Sequence, residues 1–144
     1  FTAELAIVGD GPHLAEIKKE YGKVSGLCFT GFLKGRDLSK AYAAGDVLVF
    51  PSLTDTFGNV VLEAHASGLP AIVSDQGGPQ EIVRAHDSGL VVDATRRDPI
   101  ASAMRRIASD VELYTRLKRN ALISAKESNW ESVLDMLEKP EFVS

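Results

Sequence analysis

The chain has 144 residues, 44% of them hydrophobic and 25% charged, with sixteen Lys and Arg against twenty Asp and Glu for a net charge of -4. That length excludes a two-domain enzyme, and the acidic balance leaves no basic field to draw in nucleic acid or an anionic membrane. A single cysteine, Cys28, excludes an intrachain disulfide framework and a cysteine-based metal site, and fits a reducing compartment. No apolar run reaches the ~18 to 20 residues of a membrane span, and no basic-then-apolar leader opens the chain. It opens on Phe1 directly before a strand-like run, so the sequence reads as one cut from something longer.

Short β-type runs then alternate with helix-length segments, the pattern of a parallel sheet with helices on both faces. Leu5-Ala6-Ile7-Val8 is the first strand, closed by Gly9-Asp10-Gly11-Pro12. A helix from Pro12 to Glu20 carries Leu14 and Ile17 on one face, and a strand at Leu27-Cys28-Phe29-Thr30 ends at Gly31. Asp37 is placed to cap a short helix through Tyr42-Ala43-Ala44. Asp46 to Phe50 is apolar after its first residue, as for a strand buried on both faces, and Pro51-Ser52 stops it. A helix is expected over Phe57 to Ser67, a central strand at Ala71-Ile72-Val73, a helix at Gln80 to Arg84 and a last strand at Leu90-Val91-Val92. Residues 1–93 are thus the alternating part and 94–144 a run of helices, within one domain. In those helices Ile100, Ala103, Met104 and Ile107, then Leu113 and Leu117, then Trp130, Val133, Leu134 and Leu137 repeat the apolar spacing of a core-facing stripe.

In an open parallel sheet, ligands bind beyond the carboxyl ends of the strands, so the loops after each strand are where chemistry is to be sought. Gly9-Asp10-Gly11-Pro12 begins like a dinucleotide fingerprint, but Leu14 stands where the third glycine belongs. Gly9 and Gly11 therefore read either as a tight turn or as a ligand contact. No Walker-type phosphate loop is present. The segment Pro51-Ser52-Leu53-Thr54-Asp55-Thr56-Phe57-Gly58-Asn59 leads into a helix whose first turn offers unpaired N–H groups to an anion. Glu63 follows among Val60, Val61, Leu62, Ala64 and Ala66, which reads as a helix packed on several sides. A carboxylate there needs donors, and the two hydroxyls of a ribose would serve; a surface Glu or an Arg-paired one is the plainer alternative. Asp55, eight positions before Glu63, is either a sugar-facing carboxylate or a loop cap. The pair could also be the acid and base of a glycoside hydrolase, which requires a defined separation across one bond. Gly77-Gly78-Pro79 forms a second candidate cradle, or simply a strand-to-helix connection. His13, His65 and His86 lack companions at metal spacing, and no Asp-x-Asp pair is present, so no metal and no cofactor are expected.

Taken together, the run from Pro51-Ser52 to Gly68-Leu69-Pro70, with Gly9-Asp10-Gly11-Pro12, Phe29-Thr30-Gly31, Asp46-Val47-Leu48-Val49 and Gly77-Gly78-Pro79-Gln80-Glu81, resembles the C-terminal domain of retaining glycosyltransferases of group 1, the GT4 family, with the two-domain GT-B architecture. The resemblance runs in order along nearly the whole chain. It implies a Rossmann-like domain that binds the nucleoside diphosphate of a sugar donor (UDP-, GDP- or ADP-sugar). A separate N-terminal domain would hold the acceptor. It also implies that Glu63 holds the ribose hydroxyls, that Thr56, Phe57, Gly58 and Asn59 meet the diphosphate and sugar, and that Asp55 stands at the first acidic position, where Glu is commoner. Gly31 and Phe32 would border the base, and Gly77 and Gly78 the sugar.

The same resemblance implies that the family's first strand-helix unit, with an Arg and a Lys that neutralise the departing diphosphate, lies upstream of Phe1. The fragment alone is then expected to be inactive, and its stripe at Trp130, Val133, Leu134 and Leu137 to fold back or support self-association. A cytoplasmic enzyme is expected, with any attachment to the membrane surface left to the N-terminal domain. The alternatives are a GT-B-type epimerase or phosphorylase domain, or a non-catalytic Rossmann-like nucleotide-binding module.

Overall fold

Eleven elements alternate along residues 2–128, the part of the chain that the computed structural model describes. They fall into two compact units, Phe1–Ala41 and Tyr42–Ser144. The stripe at Trp130, Val133, Leu134 and Leu137, and the self-association expected of it, lie outside the described residues.

The first unit is built on two parallel strands, β1 (Leu5–Val8) and β2 (Leu27–Gly31), joined through the helix α1 (Leu14–Tyr21). Leu5 pairs with Leu27 and Ile7 with Phe29, and the register slips between Ile7 and Val8. The slip delivers Gly31 opposite Val8, and the N–H of Gly9 then donates to the Gly31 carbonyl at 2.8 Å. Neither Leu14 nor Ile17 of α1 is fully buried. The helix α2 (Gly35–Ala44) runs across the division between units, so Asp37 lies inside its first turn instead of capping it.

The second unit is a three-stranded parallel sheet in the order β3 (Leu48–Phe50), β4 (Ala71–Ser74), β5 (Gly89–Val92). Period-two geometry splits β4 between two cores. Ile72 points to one face and packs with Ala103 and Ile107 of α5 (Arg97–Ser109) and Leu113 and Leu117 of α6 (Val111–Glu127). Ala71 and Val73 point to the other, against Val61 of α3 (Asn59–Ala66) and Val83 of α4 (Pro79–His86). Helices therefore cover both faces of this Rossmann-like sheet. Burial of each large side chain here contributes about 1.5–3 kcal/mol.

The sequence predicts a strand buried on both faces at Asp46–Phe50, but full burial belongs to β4, every residue of which is buried. β3 is only half-buried, because it is paired on one side within this sheet.

Candidate functional site

The carboxyl ends of β3 and β4 open into two loops that meet. After β3 the chain turns through Ser52 and Asp55, where the Ser52 hydroxyl accepts from the Asp55 N–H at 3.2 Å. The Asp55 carboxylate then reaches forward: its Oδ1 accepts from the N–H groups of Phe57, at 3.0 Å, and Gly58, at 2.6 Å. These are the donors expected to meet a phosphate, and the loop uses them itself. Asp55 thus serves as a loop cap through one oxygen, leaving Oδ2 outside that turn.

Gly58 enters α3 in the left-handed region, φ 73°, and is buried; a Cβ there would come within 2.7 Å of Ile82 Cδ1 and 3.2 Å of Pro79 Cα. Across from it, Gly78 donates its N–H to the Asp55 carbonyl at 3.0 Å, and a Cβ on Gly78 would overlap the Thr56 carbonyl. Two glycines let the loops interlock, which fixes the start of α3 against the start of α4. The N–H groups of Val61 and Leu62 both find the Gly58 carbonyl. Those of Asn59 and Val60, in the first turn, have no carbonyl four residues back within the helix and remain available to an anion. Phe57 stands at the lip, 79% exposed.

Glu63 corrects the sequence expectation. It lies on the exposed face of α3, in line with Asn59 at i, i+4, while Val61, Ala64 and His65 take the buried face. No burial penalty attaches to it. Its Oε2 accepts a hydrogen bond from the hydroxyl of Tyr42, 2.9 Å away in the last turn of α2. Burial first, and then this carboxylate, hold the Tyr42 phenol well above the usual tyrosine range. Tyr42 was not singled out in the sequence, and no local signal marks it, since its partner lies 21 positions on.

Behind the site, α3 is fixed to α6 by a buried pair. His65 Nδ1 lies 3.0 Å from Ser124 Oγ, and both residues are fully buried. Burial first, and then the charge of His86, bring the His65 imidazole down to about 4. His86 meets Glu127 at 2.8 Å, and His13 meets Glu16 at 3.4 Å on the surface. Among the described residues, no group of three or more His, Cys, Asp or Glu could hold a metal ion, and no helix is long and apolar enough to cross a membrane.

In the first unit Gly9 and Gly31 meet at the carboxyl ends of β1 and β2, and Gly11 and Phe32 follow in the loops after those strands. Asp10 Oδ1 accepts from the Gly11 N–H at 2.8 Å, closing the tight turn, and Phe32 is 72% exposed.

The family model for glycosyl transferases group 1 matches residues 2–123. The chain belongs to that family. This group 1 glycosyl transferase chain is 30% identical over 143 residues to the sulfoquinovosyl transferase of Arabidopsis thaliana, spanning 97% of itself and 28% of that protein. It is 34% identical over 140 residues to a GDP-mannose-dependent alpha-mannosyltransferase of Mycobacterium tuberculosis, spanning 94% of itself and 35% of the relative. Among solved structures, sucrose-phosphate synthase from Thermosynechococcus elongatus superposes with a TM-score of 0.81 at 28% identity, over 97% of this chain and 39% of that one. The chain spans about a third of the length of the relatives it matches. Its parallel sheets with flanking helices are those of part of a GT-B fold.

Proposed function

We propose that this chain is the donor-binding domain of a retaining, metal-independent glycosyltransferase that moves a sugar from a nucleoside diphosphate to an acceptor held by a separate domain. In that reaction the bond from the sugar C1 to the diphosphate oxygen breaks and the acceptor oxygen bonds to C1 on the same face. The acceptor's proton and the nucleoside diphosphate leave.

The observation that carries the reading is the exposed face of α3. Asn59, whose N–H is available in the first turn, and Glu63, an outward carboxylate one turn later, lie in line beside the interlocked loops at Asp55–Gly58 and Gly77–Gly78. The first-turn N–H groups suit a phosphate, and Glu63 suits the paired hydroxyls of the attached ribose. Because Asp55 Oδ1 is committed to its loop, contact with the sugar falls to Oδ2 and to Thr56. Gly77 and Gly78 allow close approach on the other side. The absence of an Asp-x-Asp pair from the sequence supports a reaction without a metal.

The relatives' names point to different donors, one of them GDP-mannose, so the base is left to titration. Calorimetric titration of the chain with UDP, GDP and ADP is expected to show binding of at least one. Glu63→Ala should weaken that binding at least tenfold with an unchanged circular dichroism spectrum. Undiminished affinity in this variant would remove Glu63 from the ribose role, and failure of all three nucleotides to bind would favour a module with structural carboxylates.

A further inference from the structure

We propose that Tyr42 is a positioning residue for Glu63, holding one carboxylate oxygen so that the other is presented to a nucleotide's ribose diol; this rests on the ribose reading of Glu63 above. An outward Glu on a helix has three side-chain torsions and many rotamers to lose on binding. Glu63 escapes part of that loss because its Oε2 already accepts from the Tyr42 hydroxyl at 2.9 Å. The donor is itself constrained. Tyr42 is half-buried in the last turn of α2, its ring has only two torsions, and its carbonyl accepts from the Gly45 N–H at 3.1 Å where the helix stops.

The chemistry is directional. The phenol, kept protonated by its surroundings, donates to Glu63. Oε1 is left to accept from a hydroxyl of the ligand, and a ribose offers two such donors side by side. None of the ion pairs among the described residues involves Glu63, so the Tyr42 hydroxyl supplies the fixed orientation. The residue would therefore govern how strongly the site prefers a ribonucleotide to its 2′-deoxy counterpart. A residue that only tied α2 to α3 would affect stability without affecting that preference.

The test is calorimetric titration of the full chain with the tightest binder among UDP, GDP and ADP and with its 2′-deoxy analogue, in the unsubstituted protein, Tyr42→Phe and Glu63→Ala. Tyr42→Phe keeps the ring and removes only the donor. It is expected to lower ribonucleotide affinity about fivefold to tenfold, the scale of one hydrogen bond to a charged group imperfectly replaced by water, with deoxynucleotide affinity nearly unchanged. If Glu63→Ala erases the preference and Tyr42→Phe leaves it intact, the positioning role is overturned while the ribose reading stands. If Glu63→Ala leaves the preference intact, or no nucleotide binds, the ribose reading falls and takes this inference with it. Should Tyr42→Phe not fold, NMR of isotope-labelled tyrosine ζ carbons in the unsubstituted protein decides: the Tyr42 signal should move with the ribonucleotide and not with the deoxy analogue, and an unmoved signal overturns the proposal.

Discussion

At the scale of single residues, the helix of the candidate site is held by a buried histidine on the face away from Glu63. His65 is fully buried against Ser124, and its imidazole titrates near 4 where the unfolded chain titrates near 6.5. The folded-state value is the lower one, so the unfolded chain binds the extra proton as pH falls. The stabilisation is complete above about 6.5 and is lost as the pH falls toward 4. From pH 7.5 to pH 5 this group should remove about 2 kcal/mol of stability. Urea denaturation at both values should show that loss, and His65→Gln should abolish the part that belongs to this residue. Glu63 shows how a sequence reading can err at this scale. Its apolar neighbours suggested burial, yet Asn59, Glu63 and Ala66 fall at i, i+4 and i+7 and form the exposed stripe of α3. Spacing held the answer, and composition concealed it. The reverse holds for Tyr42, whose link to Glu63 depends on how α2 and α3 are placed and leaves no trace in either segment.

At the scale of elements, strands and helices were legible because each core face repeats at its own period. Ala71 and Val73 alternate with Ile72 as β4 requires, and Ala103 with Ile107, then Leu113 with Leu117, follow a helix. The termini were less legible. Asp37 looked like a cap and lies within the first turn of α2, while α4 starts at Pro79 and extends to His86, past the Arg84 expected. Local cap chemistry competes with tertiary contacts at such ends, and here the interlock of Gly58 with Pro79 sets where α3 and α4 begin. Which strand is central was legible, since the central strand expected at Ala71-Ile72-Val73 is β4, paired on both sides by β3 and β5, whereas the half-burial of β3 depends on pairing that its apolar run does not show. Leu117, fully buried in the α5–α6 side of the core, gives the corresponding test. Leu117→Ala should cost about 2–5 kcal/mol in chemical denaturation. The same change at Leu122, which is 42% exposed on the same helix, should cost far less.

At the scale of the molecule, the sequence's family resemblance and the family match agree, and the chain spans about a third of its relatives. On the proposed reading, a donor domain by itself presents no acceptor to the sugar. The purified 144-residue chain should therefore bind nucleotide but transfer no sugar. Sensitive radiolabel assays with UDP-, GDP- and ADP-sugars check this, and measurable turnover would refute it. The loops at the carboxyl strand ends were legible as site candidates because parallel topology dictates where ligands go. That Asp55 spends an oxygen on its own loop was not, since a cap and a ligand contact draw on the same residue type.

On the proposed reading, the run of α3 from Asn59 to Glu63 makes it a ruler. A helix rises ~1.5 Å per residue, so four residues set the Glu63 Cα about 6 Å along the axis from the Asn59 Cα, with both side chains leaving the same side. A single residue inserted between them would swing Glu63 about 100° around the axis while leaving the loop and the carboxylate each chemically unchanged. Such a variant would keep its helix and its charge and lose the measurement, which is why the interval between the loop and Glu63 carries as much information as the residues at its ends.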